Sequence, residues 1–465
     1  MMFRLALRSL MVHPVRSAVL AGGFGVGVAA MATLLGVGEV ILDQARSPAL
    51  RGGGDLVATS AMGPLTSARF ILSNVLAAPP LVGRASTASP SRHARLFLVG
   101  KAGVAPLLAR GGVPSLERAL GDPETASVAA WVDAPADRAW SAPDPGDVLR
   151  AIDLFHAVPD VPARAASWAE WLYFNGHAGE THLYLTFLFG PKTKAGRRAA
   201  GVRLQLDHAG RRTSYSDRGE VDEAALLAGA PDVSIGKCQV RLRGLRYELV
   251  LDLPAEAPGG PRAQGELVLD AVRGRAMPPV TLRGAGGWLS GYVVPVMSGA
   301  FGGALTVGAE RVSLEGGLGY HDHNWGFWQG VSWRWGQVQH DGLSFLYGRL
   351  YPPADAADPD RIPGFLAALG PDGPLGYSTH VAIEETNDPY TGRPRRIMVR
   401  GRGSSLNLTL DLAIEDVVAT RMGRTAFGGD MDFLQLRARY RVVGNAGSQA
   451  IDFTASGAAE TFRGR

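Results

Sequence analysis

From about Ser167 onward, apolar and polar positions alternate with a period of two. Val202, Leu204 and Leu206 interleave with Arg203, Gln205 and Asp207, and the pattern returns at Leu245, Tyr247, Leu249, Leu251 and Leu253 and at Leu406, Leu408, Leu410 and Leu412. In an extended chain successive side chains point to opposite faces, so this spacing predicts half-buried antiparallel strands. No long helical period competes. Turn signals such as His208-Ala209-Gly210 recur at near-regular intervals, and meanders of this kind close into barrels or sandwiches. An echo runs through the strands: Trp171-x-Tyr173, Gly176-His177 and Leu183 to Phe189 parallel Trp333-x-Trp335, His340-Asp341-Gly342 and Leu343 to Leu350. Each reads as the opening hairpin of one barrel, and the pair as two barrels in tandem.

Upstream the pattern is irregular. Residues 46–150 are broken by Gly52-Gly53-Gly54, Pro79-Pro80 and the prolines between Pro135 and Pro145. A short helix around Ser67 to Val75 and a strand at Arg95 to Val99 are the elements expected there. Further upstream, Ser17 to Gly38 is a run of 22 uncharged residues with Arg4, Arg8 and Arg16 before it and Glu39 and Asp43 after it. Such a run is long enough to cross a bilayer as a helix, and the flanking charges put the N-terminus in the cytoplasm and the rest outside. A cleaved secretory signal ending near Ala30-Met31-Ala32 is the competing reading. Gly23 and Gly27 form a GxxxG suited to packing against another membrane helix.

Composition narrows the class. The chain has 465 residues, enough for two or three domains. It carries 47 basic and 43 acidic residues, hence a net charge of +4, and three of those positive charges precede the apolar run. A near-neutral body without a basic stripe argues against nucleic acid as partner. Charged residues make up only 19%, below the roughly 25% usual for globular proteins, which tilts the chain toward an apolar ligand or a membrane. The single cysteine, Cys238, excludes an internal disulfide and a cysteine-based zinc site.

The densest chemistry lies at Gly319-Tyr320-His321-Asp322-His323-Asn324-Trp325-Gly326, inside a strand-like stretch. Alternation sets Tyr320, Asp322 and Asn324 on one face and His321, His323 and Trp325 on the other. A carboxyl half-buried beside a phenol and an amide has its charged form desolvated, which raises its pKa and lets it donate a proton. The plainer reading is a set of polar groups that satisfy one another and lock two layers together.

The order Trp171-Leu172-Tyr173-Phe174-Asn175-Gly176-His177, then Gly291-Tyr292-Val293-Val294-Pro295, then the run from Gly319 to Gly326, then Trp335-Gly336 and Asp341-Gly342, resembles the superfamily of carotenoid 1,2-hydratase (hydroxyneurosporene synthase, CrtC) and AttH. The resemblance runs from about Ser167 to the C-terminus. It implies a mainly β chain of two consecutive lipocalin-like antiparallel barrels, an elongated apolar ligand and no cofactor. The expected organisation is an arginine-rich tip and transmembrane helix over 1–45, a juxtamembrane region over 46–150, and barrels over 151–326 and 327–465. In the hydratase branch water adds across a terminal double bond, which requires protonation to a carbocation. By resemblance Asp322 would be the acid, Tyr320 would orient it, and His321 or His323 would hold the water or take its proton. Trp325, Trp333 and Trp335 would face the cation, and Trp171, Tyr173, Tyr292 and Asn324 would complete the ligand wall. Separately, the first 50 or so residues resemble the first helix of ABC-exporter permeases of the FtsX/MacB type, which implies exporter components as partners in the inner membrane.

Other chemistries have less support. His321-x-His323 on one strand face with His340 is a possible zinc or iron triad. No Gly-x-Ser-x-Gly elbow, Walker loop or dinucleotide fingerprint occurs. Two function classes therefore stand: an acid-catalysed hydratase or cyclase acting on an unsaturated lipid, and a non-catalytic carrier of hydrophobic molecules that serves an exporter.

Overall fold

A computed structural model describes residues 12, 14, 15, 18, 19, 22–24, 26, 31, 84, 87–100, 103–121, 132–138, 143–193, 195–371, 373–422 and 431–464. The expected membrane span and the helix at Ser67 to Val75 fall largely or wholly outside these residues. The described positions within the span are helical and exposed, and no helix among the described residues is long and apolar enough to cross a membrane.

The chain divides into two compact units. The smaller contains a hairpin of β1 (Ser91–Gly100) and β2 (Gly103–Gly112) followed by the short helices α1 (Pro114–Ala119) and α2 (Pro135–Arg138). The strand expected at Arg95 to Val99 is therefore present, as part of a longer hairpin. Leu96, Phe97, Leu98 and Val99 are exposed on it.

The larger unit holds α3 (Pro145–Ile152) and two antiparallel sheets. α3 starts where Asp144 accepts hydrogen bonds from the Gly146 and Asp147 amides, with Pro145 at the first helical position, a normal start signal. It buries Val148, Leu149 and Ile152.

The first sheet is built from β3 (Trp168–Ala178), β4 (Thr181–Lys192), β5 (Arg197–His208), β6 (Arg211–Asp222), β7 (Val233–Ile235), β8 (Cys238–Arg243), β9 (Arg246–Leu253), β10 (Ala263–Asp270), β11 (Met277–Arg283), β12 (Leu289–Val307), β13 (Glu310–Ser313) and β14 (Gly317–Phe327). Its order is β6-β5-β4-β3-β14-β12-β10-β9-β8-β7, with β11 and β13 added beside β12. A short helix, α4 (Glu223–Gly229), bridges β6 and β7 and is capped by Asp222. The free edge of β6 bends back to the end of β9 through Ser216 N to Pro254 O (3.2 Å) and Glu256 N to Ser214 O (2.8 Å). The sheet thereby nearly closes.

The second sheet contains β15 (Ser332–His340), β16 (Leu343–Tyr351), β17 (Phe365–Gly370), β18 (Gly373–Ser378), β19 (His380–Asn387), β20 (Pro394–Arg402), β21 (Leu406–Met422), β22 (Met431–Ala446) and β23 (Gln449–Gly464). The order β18-β17-β16-β15-β23-β22-β21-β20-β19 repeats the plan of the first sheet. In both, four strands run as a meander and the first then pairs with the last: β3 with β14, β15 with β23. The two hairpins that echo in the sequence, β3–β4 and β15–β16, occupy the same place in the two barrels. The chain is thus mainly β, with two nearly closed lipocalin-like barrels in tandem.

Alternation fills each barrel. Leu183, Leu185, Phe187 and Phe189 of β4 point inward, as do Leu406, Leu408, Leu410 and Leu412 of β21. A third apolar cluster belongs to neither interior. Tyr173, Met277, Val294, Met297 and Tyr320 from the first barrel pack there with Trp335, Leu346, Ala367, Leu369 and Ala458 from the second. This seam forms because β14 and β15 are joined by only four residues, 328–331, so consecutive barrels lie side by side.

Candidate active site

β14 is flanked by β3 and β12 and is buried on both faces, since one face looks into the first barrel and the other into the seam. That is why the strand carries polar groups on both sides without presenting them to bulk water. The two faces carry different chemistry.

On the seam face Asp322 is 4% exposed. Tyr320 Oη donates to its Oδ2 at 2.9 Å and Asn324 Nδ2 to its Oδ1 at 2.9 Å. The Tyr320 and Tyr292 hydroxyls lie 2.7 Å apart, and Trp335 Nε1 donates to Tyr292 Oη at 3.0 Å. An indole N–H can only donate, while either hydroxyl can donate between Tyr292 and Tyr320, so a continuous chain of hydrogen bonds links Trp335 through Tyr292 and Tyr320 to Asp322. Burial drives the Asp322 carboxyl well above its ordinary range, and the nearby Glu460 carboxyl adds to the rise. Tyr320, Asn324 and His323 pull the other way without cancelling it. Burial likewise keeps Tyr173, Tyr292 and Tyr320 as neutral phenols. Burial thus favours the protonated form of Asp322, and its hydrogen bonds fix the plane of the carboxyl.

This acid lines a cavity of about 670 Å³ between the barrels. Trp171, Tyr173, Tyr292 and Asn324 of the first barrel and Trp333 and Trp335 of the second form part of its wall, with Tyr184, Leu188, Leu282, Leu350, Phe365, Tyr377 and Phe433. The wall also runs out to exposed Arg218 and Glu256. A mostly apolar concavity with a few convergent polar groups is the usual form of a small-molecule site.

The other face of β14 corrects part of the sequence reading. His321 and His323 are fully buried inside the first barrel and do not line the cavity. His321 Nδ1 donates to Tyr173 O at 2.9 Å, and its Nε2 meets Asp153 Oδ2 at 3.1 Å. His323 lies between two carboxylates, with Nδ1 at 2.7 Å from Asp153 Oδ1 and Nε2 at 3.1 Å from Glu170 Oε1. Glu170 also binds buried Arg198 at 2.9 Å and His156 at 2.9 Å, while Tyr247 Oη donates to Asp153 at 2.7 Å. Burial alone would raise both acids, but the histidines hold Asp153 well below its ordinary range, and His156, His323 and Arg198 hold Glu170 at about 2. Burial would lower His323, yet Asp153 and Glu170 push it up to about 9. Asp153 and Glu170 thus meet His321, His323, His156 and Arg198 in a buried polar and ionic cluster that ties the segment after α3 to β3, β5 and β14.

Trp325 also points into this barrel, stacked on His156 at 3.9 Å. It packs over Gly291, where an added Cβ would sit 2.0 Å from the indole. The triad His321, His323 and His340 is not assembled, because His340 stacks on Phe453 and pairs with Asp341 at 3.3 Å. His156, Glu170 and His323 do present atoms within 4.8 Å of one another. Arg198 already shares Glu170 and Asp153 already takes His323 Nδ1, so these three atoms sit within the ion-pair cluster.

Glu460, Asp153, Glu170, His156 and Arg198 did not stand out in the sequence. Two of them carry a readable signal. Glu170 shares a strand face with Trp168, Leu172 and Phe174, and Glu460 shares one with Ala458 and Phe462. A lone acid on an apolar strand face must find a partner or lose its charge.

No family model matches this sequence, and no curated protein matches it. Among solved structures the chain is similar to kievitone hydratase from Nectria haematococca, with 12% identity, a TM-score of 0.43, and 67% of this chain and 94% of that one covered. It is similar to an AttH-like protein of Nitrosomonas europaea, with 14% identity, a TM-score of 0.41, and 63% and 92% covered. A third is CghA bound to Sch210972, with 11% identity, a TM-score of 0.41, and 64% and 88% covered. Each is a loose likeness, and the chemistry of this chain is read from its own side chains.

Proposed function

We propose that the protein binds an elongated, largely apolar molecule in the seam cavity and that Asp322 delivers a proton to a carbon–carbon double bond of it. The observation that carries this reading is a buried carboxyl, pushed well above its ordinary range, on the wall of a cavity rich in indole, phenol and aliphatic side chains. The Asp322 O–H proton would pass to one alkene carbon, leaving a carboxylate and a carbocation. A water oxygen would close on the cation and its surplus proton would return to Asp322, so that water is added and the acid restored. Hydration of the carotenoid 1,2-hydratase type is the reaction class that fits, with Tyr320 and Asn324 orienting the acid. Cyclisation would follow if a second double bond reached the cation before water.

The test is Asp322→Asn, which keeps the hydrogen-bonding shape and removes the acid. Binding of an apolar fluorescent probe such as N-phenyl-1-naphthylamine should stay within about twofold of wild type. Incorporation of labelled water into an acyclic carotenoid or polyprenyl substrate should fall by about 10²-fold or more. Unchanged turnover in the variant would sink the acid role.

Carriage without chemistry is the second reading. It is favoured by the wall residues Arg218 and Glu256 at the surface, which suit end-on entry and exit of a long ligand. With either activity we further propose a membrane anchor over Ser17 to Gly38, barrels on the outer side of the inner membrane, and an ABC exporter as partner. The uncharged run, its flanking arginines and the resemblance to permease first helices support this arrangement.

A further inference from the structure

Glu460 lies in β23 opposite Trp335 and lines the same cavity as Asp322. Its polar neighbours are Trp333 and Tyr173, and no lysine or arginine pairs with it among the described residues. The arginines near it are engaged elsewhere: Arg437, on the same face of β22, faces Glu415 at 3.8 Å. Arg334 binds Glu385 at 2.7 Å, Arg463 faces the same carboxylate at 3.7 Å, and Arg203 at the cavity wall binds Glu256 at 3.1 Å. Arg349, also in the wall, donates to Pro359 O, and Arg218 is exposed.

The cavity thus contains an acid without a counter-ion, set among aromatic rings. A carboxylate in apolar surroundings is costly until a positive charge reaches it, and the faces of indole and phenol rings attract cations. Resting on the reading of Asp322 as proton donor, we propose that Glu460, with Trp333, Trp335 and Tyr173, forms a cation subsite that holds the positive charge appearing on the apolar ligand when Asp322 gives up its proton.

The arrangement is consistent on both sides of the transfer. Before it, a charged Glu460 repels a charge on Asp322 and so keeps the proton on Asp322. Burial lifts Glu460 itself to about 7, with Trp333 and Tyr173 limiting the rise, so its carboxylate is within reach near neutral pH. After transfer, the same carboxylate faces a cation and is stabilised by it. Two like acids on one wall thus divide the work, one holding the proton and the other the charge.

A stable cation on an apolar chain tests this without knowledge of the natural substrate. Binding of dodecyltrimethylammonium and of dodecanol, each below its aggregation concentration, is followed by quenching of tryptophan fluorescence. The cation should bind about tenfold more tightly than the alcohol. Glu460→Gln should erase that preference while leaving dodecanol within about twofold of wild type, and Asp322→Asn should keep it. Equal affinity for the two compounds in wild type, or a preference that survives Glu460→Gln, would overturn the subsite and leave the apolar cavity standing. If neither compound binds, the cavity reading itself falls and this inference falls with it.

Discussion

His323 and Glu460 both bind protons more tightly in the folded chain than in the unfolded one, and both therefore make stability depend on pH with the same sign. For His323 the folded value is about 9 against an ordinary 6.5. Its contribution is full below 6.5 and is lost as pH rises through 9. For Glu460 the folded value is about 7 against 4.5, so the folded state loses stability as pH climbs from 4.5 to 7. Urea denaturation of wild type should show the midpoint falling across the whole range from 4.5 to 9. Glu460→Gln should make the fall between 4.5 and 7 shallower without abolishing it, because burial raises Asp322 in the same sense, and should leave the fall between 7 and 9; a flat profile in wild type would refute both assignments. On the acid side Glu170, held at about 2, contributes stability above 4.5 that is lost as pH drops toward 2. Asp153→Asn removes one partner of a fully buried ionic set and should cost about 3–5 kcal/mol in the same measurement.

At the level of strands, β14 shows what alternation can and cannot tell. The division of Tyr320, Asp322 and Asn324 from His321, His323 and Trp325 was legible, because period two is a property of the extended backbone itself. Which side faced the cavity was not legible. That depends on partners distant in sequence: Asp153 follows α3 and captures both histidines, while Trp335 and Glu460 come from the second barrel. The echo between β3–β4 and β15–β16 was legible because a hairpin is local, whereas the closure of each barrel by its last strand is not. Gly291 marks the tightest fit on β12, where the missing side chain admits the Trp325 ring. Gly291→Ala should destabilise the protein by about 1–3 kcal/mol, read from the denaturation midpoint. Double substitution with Trp325→Phe should recover part of that loss.

The two barrels share a core as well as a chain. Because the seam cluster draws Tyr173, Met297 and Tyr320 together with Trp335, Leu346 and Leu369, separating the barrels would expose a large apolar surface on each. Calorimetry should accordingly show one transition for the tandem, with van't Hoff and calorimetric enthalpies in agreement. Two resolved peaks would mean that the seam couples the barrels only weakly.

Closure by first-with-last pairing also has a bearing on biogenesis. While the polypeptide is still emerging, β3 presents an unpaired edge until β14 has been made, and β15 waits in the same way for β23. Such waiting edges invite pairing with other nascent chains, and contacts of this long sequence separation form slowly. Asp322 and Glu460 share the seam only once β23 has paired with β15, so a product that stops short of Glu460 has one acid there and an open barrel around it.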